Sequence, residues 1–471
     1  MKLIPALRRL WRHAAFRRLL TLRILSQAAD GTLQVGMASY LLFSPQSQPN
    51  AWAIAGVLAL TLLPFTVIGP FVSPLLDRWS RRNVALYSDI VRSGIALILG
   101  ITIFSGATSG IWALVLYGGL LVAMSINRFM LAGLSAGLQH TVDEDEYLTA
   151  SSIVPTVGPL GVVIGAVLGF LARFTLGGLL PAHQADSVVF LFAAVLFAGS
   201  VLICRGFAPD ALGPDGYGSL ISTRSRRFAR GTGSISGRDA SSPQVGTGGQ
   251  VGDVLAGLGE AWRHLGTRPT AKVALGLMAV TRLLFGLLSV AVILAARNLW
   301  HATDQPAAAL ADITVWGLFT GVGFILAAPL VPVLVRPLGL GRTAPVLLLS
   351  GTAVTAVAAF VPAKWPLFVL SFLTGLAVQS FKICVDTIVQ AHVDEGYKGR
   401  VFTFYDMAFN GAFVLAGVVA AFVLPPTGLS LIAFLGMAAT YAACAVAFTV
   451  ARTRMGAAAF EKGTEDLTLV D

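Results

Sequence analysis

The sequence predicts an all-α membrane protein with twelve transmembrane helices arranged as two pseudo-symmetric six-helix halves. Composition is the first reason. Of 471 residues, 56% are hydrophobic and 12% charged, and a mean hydropathy of +0.78 leaves too little polar surface for a soluble domain. Run length is the second, because about 20 residues of helix cross the ~30 Å hydrocarbon layer and roughly twelve apolar runs reach that length. These runs do not alternate as barrel strands must, and an open sheet would leave backbone groups unsatisfied in lipid. The third is an internal echo. Gln139-His140-Thr141-Val142-Asp143-Glu144 ends the fourth run, and Gln390-Ala391-His392-Val393-Asp394-Glu395 ends the tenth, about 251 residues later.

In chain order the spans are expected at 18–43, 51–76, 83–105, 110–140, 149–172 and 186–206, then at 271–297, 311–336, 343–361, 365–391, 400–424 and 428–451. The halves are thus 1–206 and 271–454, joined by 207–270 and followed by a tail, 455–471. Residues 207–250 are rich in Gly, Ser and Arg and cannot bury enough apolar surface to order, so they read as a flexible linker. From Val251 to Leu265, Val254, Leu255, Leu258, Trp262 and Leu265 recur at helical spacing. That pattern fits a helix on the inner membrane surface or an extension of span seven, with Gly252, Gly257 and Gly259 weakening an isolated helix.

The net charge of +10 follows topology, not a nucleic-acid partner. Basic residues gather at alternate ends of the spans: Arg8, Arg9, Arg12, Arg17 and Arg18 before span one, Arg78, Arg81 and Arg82 after span two, Arg224, Arg226, Arg227 and Arg230 after span six, Lys398 and Arg400 after span ten, and Arg452 and Arg454 after span twelve. The loops at 44–50, 106–109 and 425–427 carry none. The positive-inside rule puts both termini in the cytoplasm of a cell membrane, and high Ala, Gly and Arg usage suggests a bacterial source. The N-terminal basic stretch runs into an apolar segment too long for a signal core. Cys204, Cys384 and Cys444 are scattered in or beside spans, a poor basis for a disulfide framework or a metal site.

After span two the chain reads Ser73-Pro74-Leu75-Leu76-Asp77-Arg78-Trp79-Ser80-Arg81-Arg82, and here it resembles the major facilitator superfamily. The family signature is Gly-x-x-x-Asp-(Arg/Lys)-x-Gly-(Arg/Lys)-(Arg/Lys); Asp77, Arg78, Arg81 and Arg82 match it, and Ser73 and Ser80 replace its glycines. The resemblance implies the family's fold and a latch role for Asp77 at the N-terminal end of span eleven, where a helix dipole favours negative charge by ~0.3–2 kcal/mol. Asp89 and Asp406 are expected to join that latch with the basic residues, as is Arg92. Three further segments are similar to the drug-efflux branch that includes macrolide and enterobactin exporters. They are Phe16-Arg17-Arg18-Leu19-Leu20 running into Ser26-Gln27-Ala28-Ala29-Asp30-Gly31, the lead-in from Gly257 to Leu265, and Gly399-Arg400-Val401-Phe402. Gly158-Pro159 with Gly161, Gly165 and Gly169 partly resembles the antiporter signature and equally fits close helix packing through small residues.

Ionisable residues inside the spans are costly, about 2.5–3.5 kcal/mol each on insertion scales, and must face protein or water. Asp30, Arg128, Arg282, Lys382 and Asp386 qualify. Asp30 lies about twelve residues into span one, ~18 Å at 1.5 Å per residue and so near the midplane. The charge of a carboxylate there depends on what stands beside it, which is what a proton-coupling site needs. Arg128 matches one position of the family's Arg-x-x-Gln-Gly motif in span four, where Leu131 and Ala132 replace Gln and Gly. Lys382 and Asp386, four apart on one helix, are expected to form a structural ion pair. Adding the repeat interval to Asp30 lands beside Arg282, which suggests that the two interact in some state.

Two six-helix repeats are the pattern of secondary transporters, and no phosphate-binding loop of the Gly-x-x-x-x-Gly-Lys-(Ser/Thr) type occurs. The expected activity is therefore gradient-driven: proton-coupled export of a hydrophobic or amphiphilic small molecule by alternating access, by a monomer in contact with membrane lipids. No cofactor, metal or enzymatic site is expected. The alternatives are a flippase or exporter of an envelope lipid, glycolipid or siderophore and, in another class, a non-transporting scaffold or sensor.

Overall fold

The computed structural model describes residues 9–43, 50–67, 79–107, 111–143, 146–208, 211–213, 249–302 and 305–465. Asp77 and Arg78 lie outside these residues, as does most of the linker. Among the described residues thirteen α-helices are delimited: α1 (Ala14–Phe43), α2 (Ala51–Val67), α3 (Arg81–Phe104), α4 (Ile111–Gly137), α5 (Tyr147–Leu176), α6 (Ala182–Arg205), α7 (Gly249–Gly266), α8 (Pro269–Asn298), α9 (Pro306–Leu338), α10 (Leu340–Phe360), α11 (Lys364–His392), α12 (Glu395–Val423) and α13 (Leu431–Met455).

Ten of them, α3–α6 and α8–α13, are long and apolar enough to cross a membrane. The two other expected spans differ for identifiable reasons. Helix α1 carries Arg17, Arg18, Arg23 and Asp30, which lower its hydropathy, and the described part of α2 is only 17 residues long. Helix starts follow local chemistry. Pro269 and Pro306 open α8 and α9, where a missing N–H costs nothing, and the Ser430 hydroxyl accepts from the Ala433 N–H at the start of α13. Ser80, one of the two serines in place of the family glycines, caps α3 by accepting from the Asn83 N–H. The amphipathic stretch before span seven forms α7, and Arg268 breaks the chain from it into α8.

The chain divides into two compact units. Of the described residues, one holds those from 9 to 36 and from 79 to 256, the other those from 37 to 67 and from 257 to 465. In the first unit, α3 packs along α6 and α4, and α5 lies against α1 through small residues. A Cβ on Gly165 would collide with the Ala28 carbonyl oxygen, one on Gly31 with the Val162 carbonyl oxygen, and one on Gly161 would come within 2.8 Å of the Ile24 carbonyl oxygen. The Thr32 hydroxyl donates to the carbonyls of Ala28 and Gly165, both at 2.9 Å. The glycine row of span five is thus a packing surface. Backbone approach of this kind, with hydroxyls bonding across it, replaces the hydrophobic drive that helices lack in lipid.

In the second unit α9 packs on α11, α10 on α13 and α11, and α12 on both α2 and α8. A Cβ on Gly286 would come within 2.6 Å of the Ala416 side chain, so α8 and α12 are held close. The chain after α13 folds back. Phe460 is fully buried against Phe448, with ring centroids 5.0 Å apart, and the Gly341 N–H donates to Glu461 at 3.2 Å.

Candidate functional site

Asp30 sits midway along α1, and its side chain is enclosed by α3 and α4. Arg92 donates to its Oδ1, Asn127 Nδ2 to its Oδ2 at 3.0 Å, and Gln34 Nε2 to the same oxygen at 2.8 Å. The same guanidinium reaches a second carboxylate. Arg92 Nη1 lies 3.2 Å from Asp89 Oδ1 one turn earlier on α3, and the hydroxyls of Ser26 and Ser200 donate to Asp89 at 2.9 and 2.5 Å. Gln27 holds Asn127 in place through a 3.1 Å bond to its carbonyl oxygen, and Phe197 of α6 covers the guanidinium with its ring centroid 4.2 Å away. Asp30, Asp89 and Arg92 are each at most 1% exposed. Two carboxylates therefore share one guanidinium in a dry site. With both ionised the set carries one negative charge, and with one proton bound it is neutral.

Arg282, on α8 of the second unit, has the opposite surroundings. The rings of Phe409 and Phe413 from α12 stand 4.2 and 4.3 Å from its Cζ, with Phe285 at 5.4 Å. No described residue gives it an ion pair or a hydrogen bond, and its buried Nε is unpartnered. One turn of α12 away, Lys382 of α11 bonds Asp386 at 2.8 Å and lies over the rings of Tyr405 and Phe409 at 5.2 and 5.6 Å.

Each unit also closes one end with a histidine clasp. In the first, His13 Nε2 lies 2.7 Å from Glu146 and 3.9 Å from Asp143, just ahead of α5. In the second, His264 Nε2 lies 3.8 Å from Asp394 and its ring stacks on Tyr397 at 4.3 Å, while Arg268 holds both oxygens of Asp394 at 2.9 and 2.8 Å. Arg400 adds a 3.0 Å pair with Glu260 of α7. His13 and His264, Asp143 and Asp394, and Glu146 and Tyr397 are separated by the same interval as Gln139 and Gln390.

No protein-family model matches the chain. Across 442 residues it is 32% identical to an uncharacterized MFS-type transporter of Mycobacterium tuberculosis, covering 93% of this chain and 91% of that one, and it matches one of Mycobacterium bovis equally. The chain belongs to the MFS-type transporters. Among solved structures, a POT peptide transporter in complex with sulfate superimposes with a TM-score of 0.64 at 13% identity, covering 96% of each chain. The nucleoside transporter NupG gives 0.60 at 15%, covering 93% of this chain and 99% of that one. These likenesses establish the fold, and the family membership makes the chain a multi-pass bacterial transporter and not an enzyme.

Within this MFS-type chain the structure regroups several residues singled out from sequence. Asp89 and Arg92 belong with Asp30 in one buried network, and not in the latch near the membrane surface that their place early in span three suggests, because the α3 face that carries them turns into the first unit. The cation meeting Asp30 is Arg92, while Arg282, expected opposite it, is enclosed by aromatic rings of its own unit. From α4 it is Asn127 that reaches Asp30, and Arg128, one position on and so about 100° around the helix, is only partly buried. Lys382 and Asp386 form the expected pair. Arg81 bonds His140 at 3.1 Å, and its N–H donates to the Gly213 carbonyl at 3.0 Å. Arg82 bonds Asn83 at 3.0 Å. Asp406, partly buried on α12, accepts from Asn410 through its main-chain oxygen at 2.9 Å. The clasps were not read from sequence, although Trp11-Arg12-His13 recurs as Trp262-Arg263-His264. Neither was the aromatic face of α12, visible as Tyr405, Phe409 and Phe413 at four-residue spacing.

Proposed function

We propose that the chain is a proton-coupled exporter of a hydrophobic or amphiphilic small molecule. It would work as a monomer by alternating access, spanning the membrane twelve times with both termini in the cytoplasm. The observation that carries this reading is the pair of buried carboxylates on Arg92. A site that is neutral with one proton and singly negative without it converts proton arrival into a change of net charge. In a dry interior such a change is felt strongly. The shared guanidinium keeps both carboxylates in reach, and the amides of Gln34 and Asn127 offer Asp30 oxygen bonds that do not depend on the ion pair.

A second reading, export or flipping of an envelope lipid, glycolipid or siderophore, draws on Arg282, whose charge no described residue balances. A scaffold that had lost the transport cycle would gain nothing from keeping Asp30, Asp89 and Arg92 buried at their insertion cost, which argues against that class.

The deciding experiment is a substrate screen in vesicles with an imposed pH gradient, comparing the native chain with Asp30→Asn. Substrate movement that follows the gradient in the native protein and not in the variant is expected. Movement indifferent to both sinks the proton-coupled reading. Topology is tested by labelling. The native thiols of Cys204, Cys384 and Cys444 are buried, so cysteines introduced at Thr108 and Thr427 should label from outside intact cells, and one at Ser234 should not. For the latch, Asp77→Asn should lower turnover with substrate affinity nearly unchanged. Normal turnover would remove it.

A further inference from the structure

Arg282 is a partly buried cation whose surroundings supply ring faces and, among the described residues, no acceptor. Aromatic rings attract a guanidinium through their quadrupoles, but they have no lone pairs in position to satisfy its five N–H groups, which a carboxylate or phosphate matches two at a time. Arg92 and Arg173, both buried, have partners of that kind, Asp30 with Asp89 for the first and Asp186 for the second. Lys382 is paired within its own helix to Asp386, so the set of Arg282, Lys382 and Asp386 keeps one positive charge. Phe285 and Phe413, whose ring centroids are 6.0 Å apart, present apolar area directly beside that charge.

We propose that Arg282 is the recognition residue for an amphiphilic organic anion, its guanidinium taking a carboxylate or phosphate while Phe285, Phe409 and Phe413 take the apolar, ring-bearing body. This rests on the transporter reading above and names the substrate class. The exported molecule is an anion with an aromatic or flat apolar portion, and a plain hydrocarbon or a cation does not fit. Lys382, 5.6 Å from the Phe409 ring centroid, adds attraction without giving up Asp386.

The test uses the purified full-length protein in detergent without any gradient, so that it does not depend on proton coupling. The probes are 1-naphthaleneacetate, 1-naphthyl phosphate and the neutral 1-naphthaleneacetamide, with binding measured by calorimetry. The native chain is expected to bind at least one anion about tenfold or more tighter than the amide, the size of a charge-assisted bidentate bond. Arg282→Gln should bring the probes to within about twofold of each other, through loss of anion affinity and with the amide unchanged. Comparing carboxylate with phosphate tells which head group the site takes. Should the variant fail to fold, the native protein still decides. Naphthaleneacetate should protect Arg282 from phenylglyoxal modification, read by peptide mass spectrometry, and the amide should not. Equal affinity for anion and amide in the native chain, a preference that survives Arg282→Gln, or labelling of Arg282 indifferent to the anion would each overturn the assignment. Gradient-driven export of a neutral compound alongside any of these would leave the exporter standing and remove only the anion.

Discussion

Asp30 and Arg282 lie within one residue of equivalence across the internal repeat, yet their surroundings have little in common. Around Asp30 four helices contribute polar groups until each carboxylate oxygen of the network is bonded. Around Arg282 three phenylalanines close in and leave the charge without a counter-ion among the described residues. The ends of the units tell the reverse story: the same histidine and the same aspartate recur at matching positions, and in both units the clasp holds the segment before a long helix to the loop before another. Across the repeat interval, then, the chemistry that ties helix ends together recurs and that in the middle of the helices does not. Helix ends need the same fastening in each unit, whereas one internal site has no reason to resemble the other if the two do different work.

The sharpest way to break this comparison is to remove the cation of each site in turn. Arg92→Gln leaves two carboxylates facing each other in a dry site, and breaking a buried pair in this way costs roughly 3–5 kcal/mol. Thermal unfolding in detergent should therefore fall steeply. Arg282→Gln strands no carboxylate and should leave the melting temperature equal or higher. A similar fall for both would show that Arg282 has a hidden partner and that the two sites are alike.

Next in size is Asp30→Asn, which keeps the shape and most hydrogen bonds of the network while fixing its charge. Folding should survive, with gradient-driven transport at least about tenfold lower and little response to pH in the range where the native chain responds. If the variant keeps the native pH profile, the proton is handled elsewhere.

The smallest effects belong to the clasps, whose groups are partly exposed. Disrupting such pairs costs about 1 kcal/mol or less. Asp394→Asn gives up a two-pronged bond to the permanent charge of Arg268 as well as the approach of His264, and Glu146→Gln weakens the 2.7 Å contact with His13. Both should lower the melting temperature slightly, Asp394→Asn the more. Equal falls would make the clasps equivalent after all.

Much of the architecture was legible because membrane insertion writes itself into composition. Ten helices coincide with apolar runs, and the remaining expected spans fail by charge content or by the extent of the described residues. Asp30 stood out for the same reason. Its partner did not, because the choice between Arg92 and Arg282, or between Asn127 and Arg128, depends on helix rotation, and one residue of error turns a side chain by about 100°. Hydropathy carries no such phase information in a span that is apolar all round. Asp89 and Arg92 looked peripheral because they lie close to the start of their helix, yet the inward face of α3 carries them into the unit. The box around Arg282 escaped notice because phenylalanine is ordinary in a membrane span, and only the neighbouring cation gives it meaning.

The contact between α1 and α5 bears on motion in a way that the charges do not. Where Gly31 and Gly165 bring peptide groups of the two helices together, little side chain is left between them to repack, and the Thr32 hydroxyl rivets the Ala28 and Gly165 carbonyls together. Sliding one helix against the other by even a single residue would drive a Cβ into a peptide group. The part of α1 from Ile24 to Thr32 must consequently stay with α5 in any movement of the chain, carrying Asp30 with it, and rearrangement falls to looser seams.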